Sequence, residues 1–204
     1  QITAKGVCWS TTPNPDISDP HTSEGPGSGA FTSSLTNLSP ATVYYVRAYA
    51  SNNSWTVYGE QMTFRTMLSD IDGNLYNTVF IGTKLWMAEN LRVVSLNDNS
   101  QIQNITDDAA WVATGSPAYC WYNNDPSFKP TYGALYNWFT AASGKLCPAG
   151  WHVPTDEEFS AMEISLGMAQ DQSDLWGWRG TDHGKKMKNQ TGWDDNGNGT
   201  NSSG

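Results

Sequence analysis

The sequence contains few basic residues and no long apolar run. Only 11 of its 204 residues are Lys or Arg, against 20 Asp or Glu, so the formal net charge is −9. Binding to a nucleic-acid backbone or to an anionic lipid surface requires a basic face, so neither is expected as a partner. No segment is long and apolar enough to span a bilayer, and the N-terminal residues show no signal-peptide pattern. Because the first residue is Gln1 and not Met, we expect a mature or excised piece of a longer chain.

Cysteine and histidine are equally scarce. The three cysteines, Cys8, Cys120 and Cys147, cannot all pair with one another, and their spacing fits no zinc site. No two of the three histidines have the short spacing typical of metal ligands. The sequence also supplies no nucleophile–base pair and no phosphate-binding loop. We therefore expect no catalytic residue and no required cofactor.

Aromatic and small residues are abundant in this sequence, whereas charged residues are few. Trp, Tyr and Phe make up 12% of the chain and charged residues 15%, while Gly alone occurs 19 times. This balance favours a loop-rich, β-rich extracellular module over a helical cytosolic enzyme. We expect two domains, at residues 1–66 and 70–204, joined by a short linker at 67–69.

Residues 1–66 have the period-two alternation of a β-sandwich. The segments KGVCWS, TVYYVRAYA and EQMTFRT predict strands, with Met62 and Phe64 pointing inward and Cys8 as a buried thiol. The phrase LTNLSPATVYYVRAYASN, at 35–52, resembles fibronectin type III domains. That resemblance implies an incomplete sandwich whose first strands precede Ile2.

Residues 70–204 mix strand and helix patterns, which predicts an α+β domain. DGN at 72–74 predicts a turn, with strands over 76–82 and 84–91. Thr106 is predicted to cap a short helix, and apolar spacing predicts another helix over 132–142. Bulky residues at 146–153 predict a short strand. Thr155 and Glu158 then form the capping-box pattern of a helix over 156–166, which Gly167 ends.

Five sequence blocks in this second part carry a family resemblance. They are DIDGNLYNTVFIGTKLWMAENLR, AYCWYNND, YGALYNW, KLCPAGWHVPTDEEF and GTNSSG. In this order they resemble the Fibrobacter succinogenes major paralogous domain. WHVPTDEEF is also similar to a signature of the formylglycine-generating, sulfatase-activating enzymes, relatives of the C-type lectin fold. The resemblance implies a C-type-lectin-like α+β domain with further strands after Gly204, so the chain is expected to be truncated at both ends.

The same resemblance bears on the cysteines. It implies a disulfide between Cys147 and a cysteine in a final strand beyond Gly204, with a Cys120–Cys147 bridge as the alternative. Sulfatase-activating enzymes use a reactive cysteine pair C-terminal to the shared motif. No residue of this sequence corresponds to that pair, so their catalytic role does not carry over.

Aromatic side chains beside amides and carboxylates are the best candidates for a binding site. Flat apolar faces next to polar groups suit sugar stacking or a protein contact, although such rings also commonly pack a domain's own core. The candidate contacts are Trp121, Tyr122, Asn124, Asp125, Trp176 and Trp178. The oxygen-rich segment WDDNGNGTN suggests either a calcium site or a solvated turn. Its candidate calcium ligands are Asp194, Asp195, Asn196 and Asn198.

These observations predict a non-catalytic module at a bacterial surface. We expect part of a secreted or outer-membrane-anchored protein, such as a lipoprotein, that adheres to an extracellular glycan or protein. The alternative is an architectural stalk or filament unit that contacts neighbouring subunits. A sulfatase-activating type of oxidoreductase is the third possibility, and the missing cysteine pair argues against it.

Overall fold

The chain divides into two units, Gln1–Leu68 and Ser69–Gly204. The computed structural model describes residues 1–188, 190–192 and 198–202. Throughout these residues, no helix has both the length and the apolar character needed to cross a membrane.

The first unit is built around one four-stranded antiparallel sheet. Strand β2 (Val43–Ser51) lies at its centre, and β1 (Ala4–Ser10) pairs with one edge along its whole length. The other edge of β2 pairs with β3 (Thr56–Tyr58) and then with β4 (Met62–Arg65). The aromatic and β-branched residues of β2 favour strand structure.

Buried side chains on β1 and β2 form the core of this unit. They are Cys8, Trp9, Tyr44 and Tyr49. The prediction that Met62 points inward is wrong, because its side chain is 70% exposed. Strand β4 is short and lies at the edge of the sheet, and its first two residues, Met62 and Thr63, are exposed. A sandwich needs a second facing sheet, and residues 1–68 contain only this one, so the fibronectin-like sandwich stays a prediction.

The second unit combines short strands with short helices. Its strands are β5 (Leu68–Ser69), β6 (Leu75–Tyr76), β7 (Thr78–Ile81), β8 (Lys84–Met87), β9 (Gln103–Asn104), β10 (Ala118–Trp121) and β11 (Ala134–Tyr136). Its helices are α1 (Asp108–Ala113), α2 (Lys129–Tyr132), α3 (Trp138–Ala141), α4 (Asp156–Ser165), α5 (Gln170–Ser173) and α6 (His183–Met187). The C-type-lectin-like assignment stays a prediction, whereas the β-rich character with interspersed helices is observed.

Three small sheets organise the strands of this unit. Strand β10 lies between β9, which runs parallel to it, and β11, which runs antiparallel. Strands β7 and β8 form an antiparallel hairpin. Strand β5 pairs with β6, so the DGN turn closes this pair, and Gly82 and Thr83 turn the β7–β8 hairpin. The hydrophobic core lies against β10 and consists of Val93, Leu96, Ile102, Tyr119, Trp121 and Leu146.

The single helix predicted over 132–142 is wrong. Helix α2 ends at Tyr132, the first residue of that span, and strand β11 and the short helix α3 follow it. Gly133 ends α2 with a left-handed φ of +67°. Asn137 is extended and accepts a hydrogen bond from the amide of Thr140, so it starts a new helix. Periodic apolar spacing alone did not reveal these two breaks.

The strand predicted over 146–153 is also absent. Its chain turns at Pro148, where the carbonyl accepts a hydrogen bond from the amide of Trp151, and Gly150 has a φ of +81°. Proline and a left-handed glycine interrupt a ladder of hydrogen bonds. Leu146 is buried as expected, but Val153 is exposed.

Helix α4 begins as the capping box predicts. Thr155 Oγ1 accepts a hydrogen bond from the amide of Glu158, and the Glu158 carboxylate accepts one from the amide of Thr155. The same carboxylate pairs with Lys84 and His152. The hydrogen bonds from Lys84, Thr155 and His152 lower the pKa of Glu158 to about 2. The cap of α1 differs from the prediction, because Asp107 and not Thr106 accepts the amide bond there.

Replacing Thr155 by alanine tests this cap. Thr155→Ala is expected to lower the free energy of unfolding by about 0.5–2 kcal/mol, because the Glu158 amide loses its acceptor. Urea denaturation followed by tryptophan fluorescence measures the change. Thr106→Ala is the matched control, since Thr106 is exposed and its side chain caps no helix. Equal stabilities of the two variants would show that Thr155 does not cap α4.

Candidate functional site

A groove of about 730 Å³ runs beside helix α4 in the second unit. One wall is the solvent-facing side of α4, and the other is α5 with the loop that follows it. The lining residues are Asp156, Glu157, Ser160, Ala161, Ile164, Gln170, Ser173, Asp174, Leu175, Trp176, Gly177 and Arg179. A concave surface with converging polar groups and an aromatic ring is typical of a small-ligand site.

Hydrogen bonds hold the two walls in register. Ser160 Oγ on α4 donates to Ser173 Oγ on α5 at 2.9 Å, and Ser173 Oγ donates to the carbonyl of Gln170 at 3.0 Å. Ser173 is buried, so this contact is shielded from water. The Ser160–Ser173 hydrogen bond therefore holds α5 against α4.

An ion pair fixes the loop after α5. The guanidinium of Arg179 lies 2.8 Å from the Glu163 carboxylate on α4. It also donates a hydrogen bond to the carbonyl of Leu175 at 2.9 Å. Glu163 is buried, and removing one partner of a buried pair is costly. The loop carrying Trp176 is thus anchored at both its start and its end.

The groove has an acidic lining. Asp156, Glu157 and Asp174 contribute carboxylates, while the charge of Arg179 is matched by Glu163. Hydrogen bonds from its own backbone amide and from Thr155 lower the pKa of Glu157. Gln170 Nε2 donates to Asp174 Oδ1 at 3.0 Å. Carboxylate, amide and hydroxyl groups in this arrangement can bind a ligand rich in hydroxyl donors or one that carries positive charge.

Two predicted contacts, Trp176 and Trp178, lie in the anchored loop. Both side chains are fully exposed to solvent, and Trp176 lines the groove whereas Trp178 does not. Trp176 therefore presents a large apolar ring at the edge of a concave polar surface. The ring of Trp176 can therefore meet a ligand that occupies the groove.

The other predicted contacts lie in a separate segment, which we call the aromatic loop (residues 121–132). The rings of Tyr122, Phe128 and Tyr132 contact one another, with centroids 5.0–5.6 Å apart. Tyr122 and Tyr132 are exposed. None of the groove-lining residues comes from this loop. The structure therefore describes two aromatic surfaces and not a single combined site.

Trp121, one of the predicted contacts, is buried. Its side chain is 8% exposed and packs in the core with Tyr119. The ring belongs to the hydrophobic core that lies against β10, together with Val93 and Leu146. A ring in this position cannot stack on a sugar.

Asn124 and Asp125 are exposed, and their side chains form hydrogen bonds that stabilise the backbone of the aromatic loop. Asn124 has a left-handed φ of +55°, and its Nδ2 donates to the carbonyl of Thr106 at 3.1 Å. Asp125 Oδ1 accepts a hydrogen bond from the amide of Ser127 at 2.8 Å. This bond lowers the pKa of Asp125. These hydrogen bonds stabilise the stretch of backbone between Tyr122 and Phe128.

Three of the four predicted calcium ligands, Asp194, Asp195 and Asn196, lie outside the described residues, and Asn198 lies within them. Among the residues that the structure describes, no group of three or more His, Cys, Asp or Glu side chains could hold a metal. The possible calcium site in this segment stays a prediction.

All three cysteines are free thiols, so the alternative Cys120–Cys147 bridge is not formed. Burial raises the pKa of each thiol. A raised pKa leaves little thiolate at neutral pH, and the thiolate is the reactive form. The pairing of Cys147 with a cysteine beyond Gly204 stays a prediction.

Sequence reasoning missed most of the groove. No local sequence signal marks Asp156, Glu157, Ser160 or Asp174 as part of a site. Their proximity depends on the packing of α5 against α4, which no local pattern reports. The Trp176–Trp178 pair was the one signal that pointed to this surface.

Comparison with known proteins identifies the second part of the chain. The Fibrobacter succinogenes major domain model matches residues 79–204, more than half of the sequence. No curated protein and no solved structure was found to match. The matched residues contain the whole groove, the aromatic loop and the capping box of α4. The chain belongs to the Fibrobacter succinogenes major domain family.

Proposed function

We propose that this protein is a non-catalytic binding module at a bacterial surface, and that its second unit binds glycan in the groove between α4 and α5. The observation that carries the proposal is the fully exposed Trp176 ring at the edge of a groove with a carboxylate-rich lining. The ring offers a flat apolar face to a sugar ring. The carboxylates of Asp156, Glu157 and Asp174 can accept hydrogen bonds from its hydroxyls.

The anchoring of the loop supports a binding role. A side chain that is already ordered loses less conformational entropy on binding than a mobile one. The Arg179–Glu163 pair and the Arg179–Leu175 hydrogen bond hold the segment around Trp176 before any ligand arrives. Recognition residues on loops fixed by a rigid scaffold are common.

The chemistry of the thiols favours binding over the oxidoreductase alternative. An enzyme of the sulfatase-activating type needs a reactive cysteine. Here Cys8 is buried and Cys120 and Cys147 are partly buried, and the pKa of each of the three thiols is raised. No cysteine lines the groove. The surface location, on a secreted or outer-membrane-anchored protein, rests on the composition and on the bacterial family.

The exposed Trp178 is the observation that favours the architectural alternative. Its ring lies outside the groove lining and is fully exposed, so a neighbouring subunit or another protein can cover it. In that case Trp178 and not Trp176 would dominate the interaction. The two readings therefore predict different effects for the two tryptophans.

A glycan array with the full 204-residue chain tests the proposal. Trp176→Ala is expected to weaken binding by about 1–2 kcal/mol, roughly 5- to 30-fold in Kd, through loss of ring stacking. Trp138→Ala is the matched control, because this ring is 75% exposed on α3 and does not line the groove. Glycan binding that survives Trp176→Ala unchanged would exclude the groove. No glycan binding, together with self-association lost in Trp178→Ala, would favour the architectural role.

A further inference from the structure

The first unit contains a second concave surface, which is independent of the proposed glycan site. It is a groove of about 410 Å³ on the face of the β2 sheet, within the usual volume range of small-ligand pockets. We call it the Lys5 groove. Its lining is mainly apolar and consists of Ile2, Lys5, Gly27, Ser28, Gly29, Phe31, Ala48, Tyr49, Ala50, Val57, Tyr58 and Gly59.

Small side chains on the central strand create the space. Ala48 and Ala50 alternate along β2 and lie between bulkier neighbours, so the sheet offers a shallow floor there. Phe31 and Val57 line the groove and remain exposed. An exposed apolar lining of this kind can contact the hydrocarbon part of a ligand.

A buried lysine is the only ionisable cation in the lining. Lys5 is 8% exposed, although lysine is almost never buried without a paired charge. Its Nζ donates one hydrogen bond, to the carbonyl of Gly29 at 2.6 Å, and lies 5.5 Å from the centre of the Phe31 ring. Over residues 1–188, which the structure describes without a gap, no carboxylate forms an ion pair with Lys5.

The ammonium group of Lys5 therefore has unused binding capacity. A lysine ammonium has three donor hydrogens and no acceptor, and only one donor is used by Gly29. Burying a charge costs free energy unless it is paired. Acidic residues outnumber basic ones in this protein, whose net charge is −9, and yet none of those within residues 1–188 pairs with Lys5. An anion entering the groove would restore the missing pairing.

The glycine-rich loop at 25–29 leaves the approach to Lys5 open. A Cβ atom added at Gly27 would have no neighbour within 4 Å, and one added at Gly29 would first meet Lys5 Nζ at 4.0 Å. Neither Gly27 nor Gly29 therefore places a side chain between the groove and the ammonium group. Larger residues at these two positions would narrow the approach to Nζ.

We propose that the Lys5 groove binds a small amphiphilic carboxylate. Its carboxylate pairs with Lys5 Nζ, and its apolar body lies on Ala48 and Ala50 between Phe31 and Val57. The charge explains selection of an anion, and the apolar lining explains selection against free inorganic ions, which have no hydrocarbon part.

Two matched probes, 4-phenylbutyrate and the neutral 4-phenylbutyramide, test this with the full chain. They share the apolar body and differ in charge. Isothermal titration is expected to show at least tenfold tighter binding of the carboxylate, and amide shifts in NMR spectra should occur at Gly29, Phe31 and Ala48. In Lys5→Met, which keeps the length and apolar stem of the side chain, the preference for the carboxylate should disappear.

Two further variants keep the test decisive if Lys5→Met fails to fold. Ala48→Leu fills the groove floor at an exposed position while Lys5 stays in place, so it should abolish binding of both probes. Lys84→Met removes an exposed lysine of the other unit and should leave binding unchanged. Absence of binding to the unmodified chain, equal affinity for the two probes, or undiminished binding to Ala48→Leu would overturn the proposal.

Discussion

Gly133→Ala is expected to destabilise the second unit by about 3 kcal/mol or more. Gly133 has φ +67° and ψ −157°, a conformation that is essentially restricted to glycine. A Cβ atom built there would lie 2.5 Å from the carbonyl oxygen of Leu91 and 2.7 Å from Cβ of Asn90. Backbone strain and the steric clash each cost on the order of 1–3 kcal/mol, and here they act together.

The clash would spread because Gly133 joins two elements of the core. The next residue, Ala134, donates its amide hydrogen to the carbonyl of Leu91 at 2.9 Å, and this is the carbonyl that the new methyl group would displace. Ala134 also begins β11, which pairs with β10. Strand β10 carries Tyr119 and Trp121 into the core. Moving the 91 and 134 segments apart would therefore loosen the core as well as the turn.

Chemical denaturation followed by tryptophan fluorescence measures this loss. Gly115→Ala is the control, since its added Cβ would have no neighbour within 4 Å and its φ is not left-handed. That variant should unfold at nearly the same urea concentration as the unmodified chain. Similar midpoints for Gly133→Ala and Gly115→Ala would mean that the 91–133 contact is not tight in solution.

The sequence predicted α4 well because its signals are local. A capping box connects Thr155 and Glu158, which are only three residues apart, so no information about the remaining chain is needed. Gly167, with φ +103°, ends the helix for an equally local reason. The strands β1 and β2 were predictable from their sequence alternation, although burial in β1 does not alternate, since the adjacent Cys8 and Trp9 are both buried.

The segment 132–142 was not predictable from its periodicity. Leu135 and Trp138 are spaced like the apolar face of a helix, but both are exposed. Pairing of β11 with β10 and the Ala134–Leu91 hydrogen bond override the helical pattern. These contacts connect residues that are far apart in sequence, so a pattern read within a short window cannot reveal them.

The candidate site shows the same division between local and long-range information. Trp121 and Trp176 each lie two residues from an amide or a carboxylate side chain, Asn123 and Asp174, yet one ring is buried and the other is fully exposed. The difference arises because one face of β10 packs into the hydrophobic core with Trp121, whereas the loop after α5 faces solvent. Sequence composition could select aromatic candidates, but only the packing of strands and helices separates contacts from core.

The last expected result concerns Asp70. We expect its replacement to lower the free energy of unfolding more than that of any other carboxylate in the second unit. It is buried and accepts four hydrogen bonds, from the amides of Asp72 and Asn74, from Asn74 Nδ2, and from Tyr76 OH at 2.5 Å. The hydroxyl of Tyr76 accepts in turn from the amide of Arg92 at 3.1 Å. One carboxylate thus links the turn after β5 to β6 and to the segment after β8.

The environment of Tyr76 shows that this network is shielded from solvent. Its side chain is fully buried, and the Arg92 guanidinium lies 4.4 Å from the ring centre. Burial and the hydrogen bond to Asp70 raise the pKa of Tyr76, so the phenol keeps its proton and donates a hydrogen bond to the carboxylate. Removing either partner leaves the other polar group buried with fewer partners, which is the costly case.

Asp70→Ala should therefore lower the free energy of unfolding by about 3–5 kcal/mol, and Tyr76→Phe by about 1–3 kcal/mol. The larger value follows because alanine removes the acceptor of several donors at once, whereas phenylalanine keeps the packing of the ring. Asp98→Ala is the control: Asp98 also accepts from a nearby amide, that of Ser100, but it is exposed, so water can replace the lost contacts. Denaturation midpoints measure all three variants. If Asp70→Ala and Asp98→Ala shift the midpoint equally, the buried network contributes no more than an exposed turn.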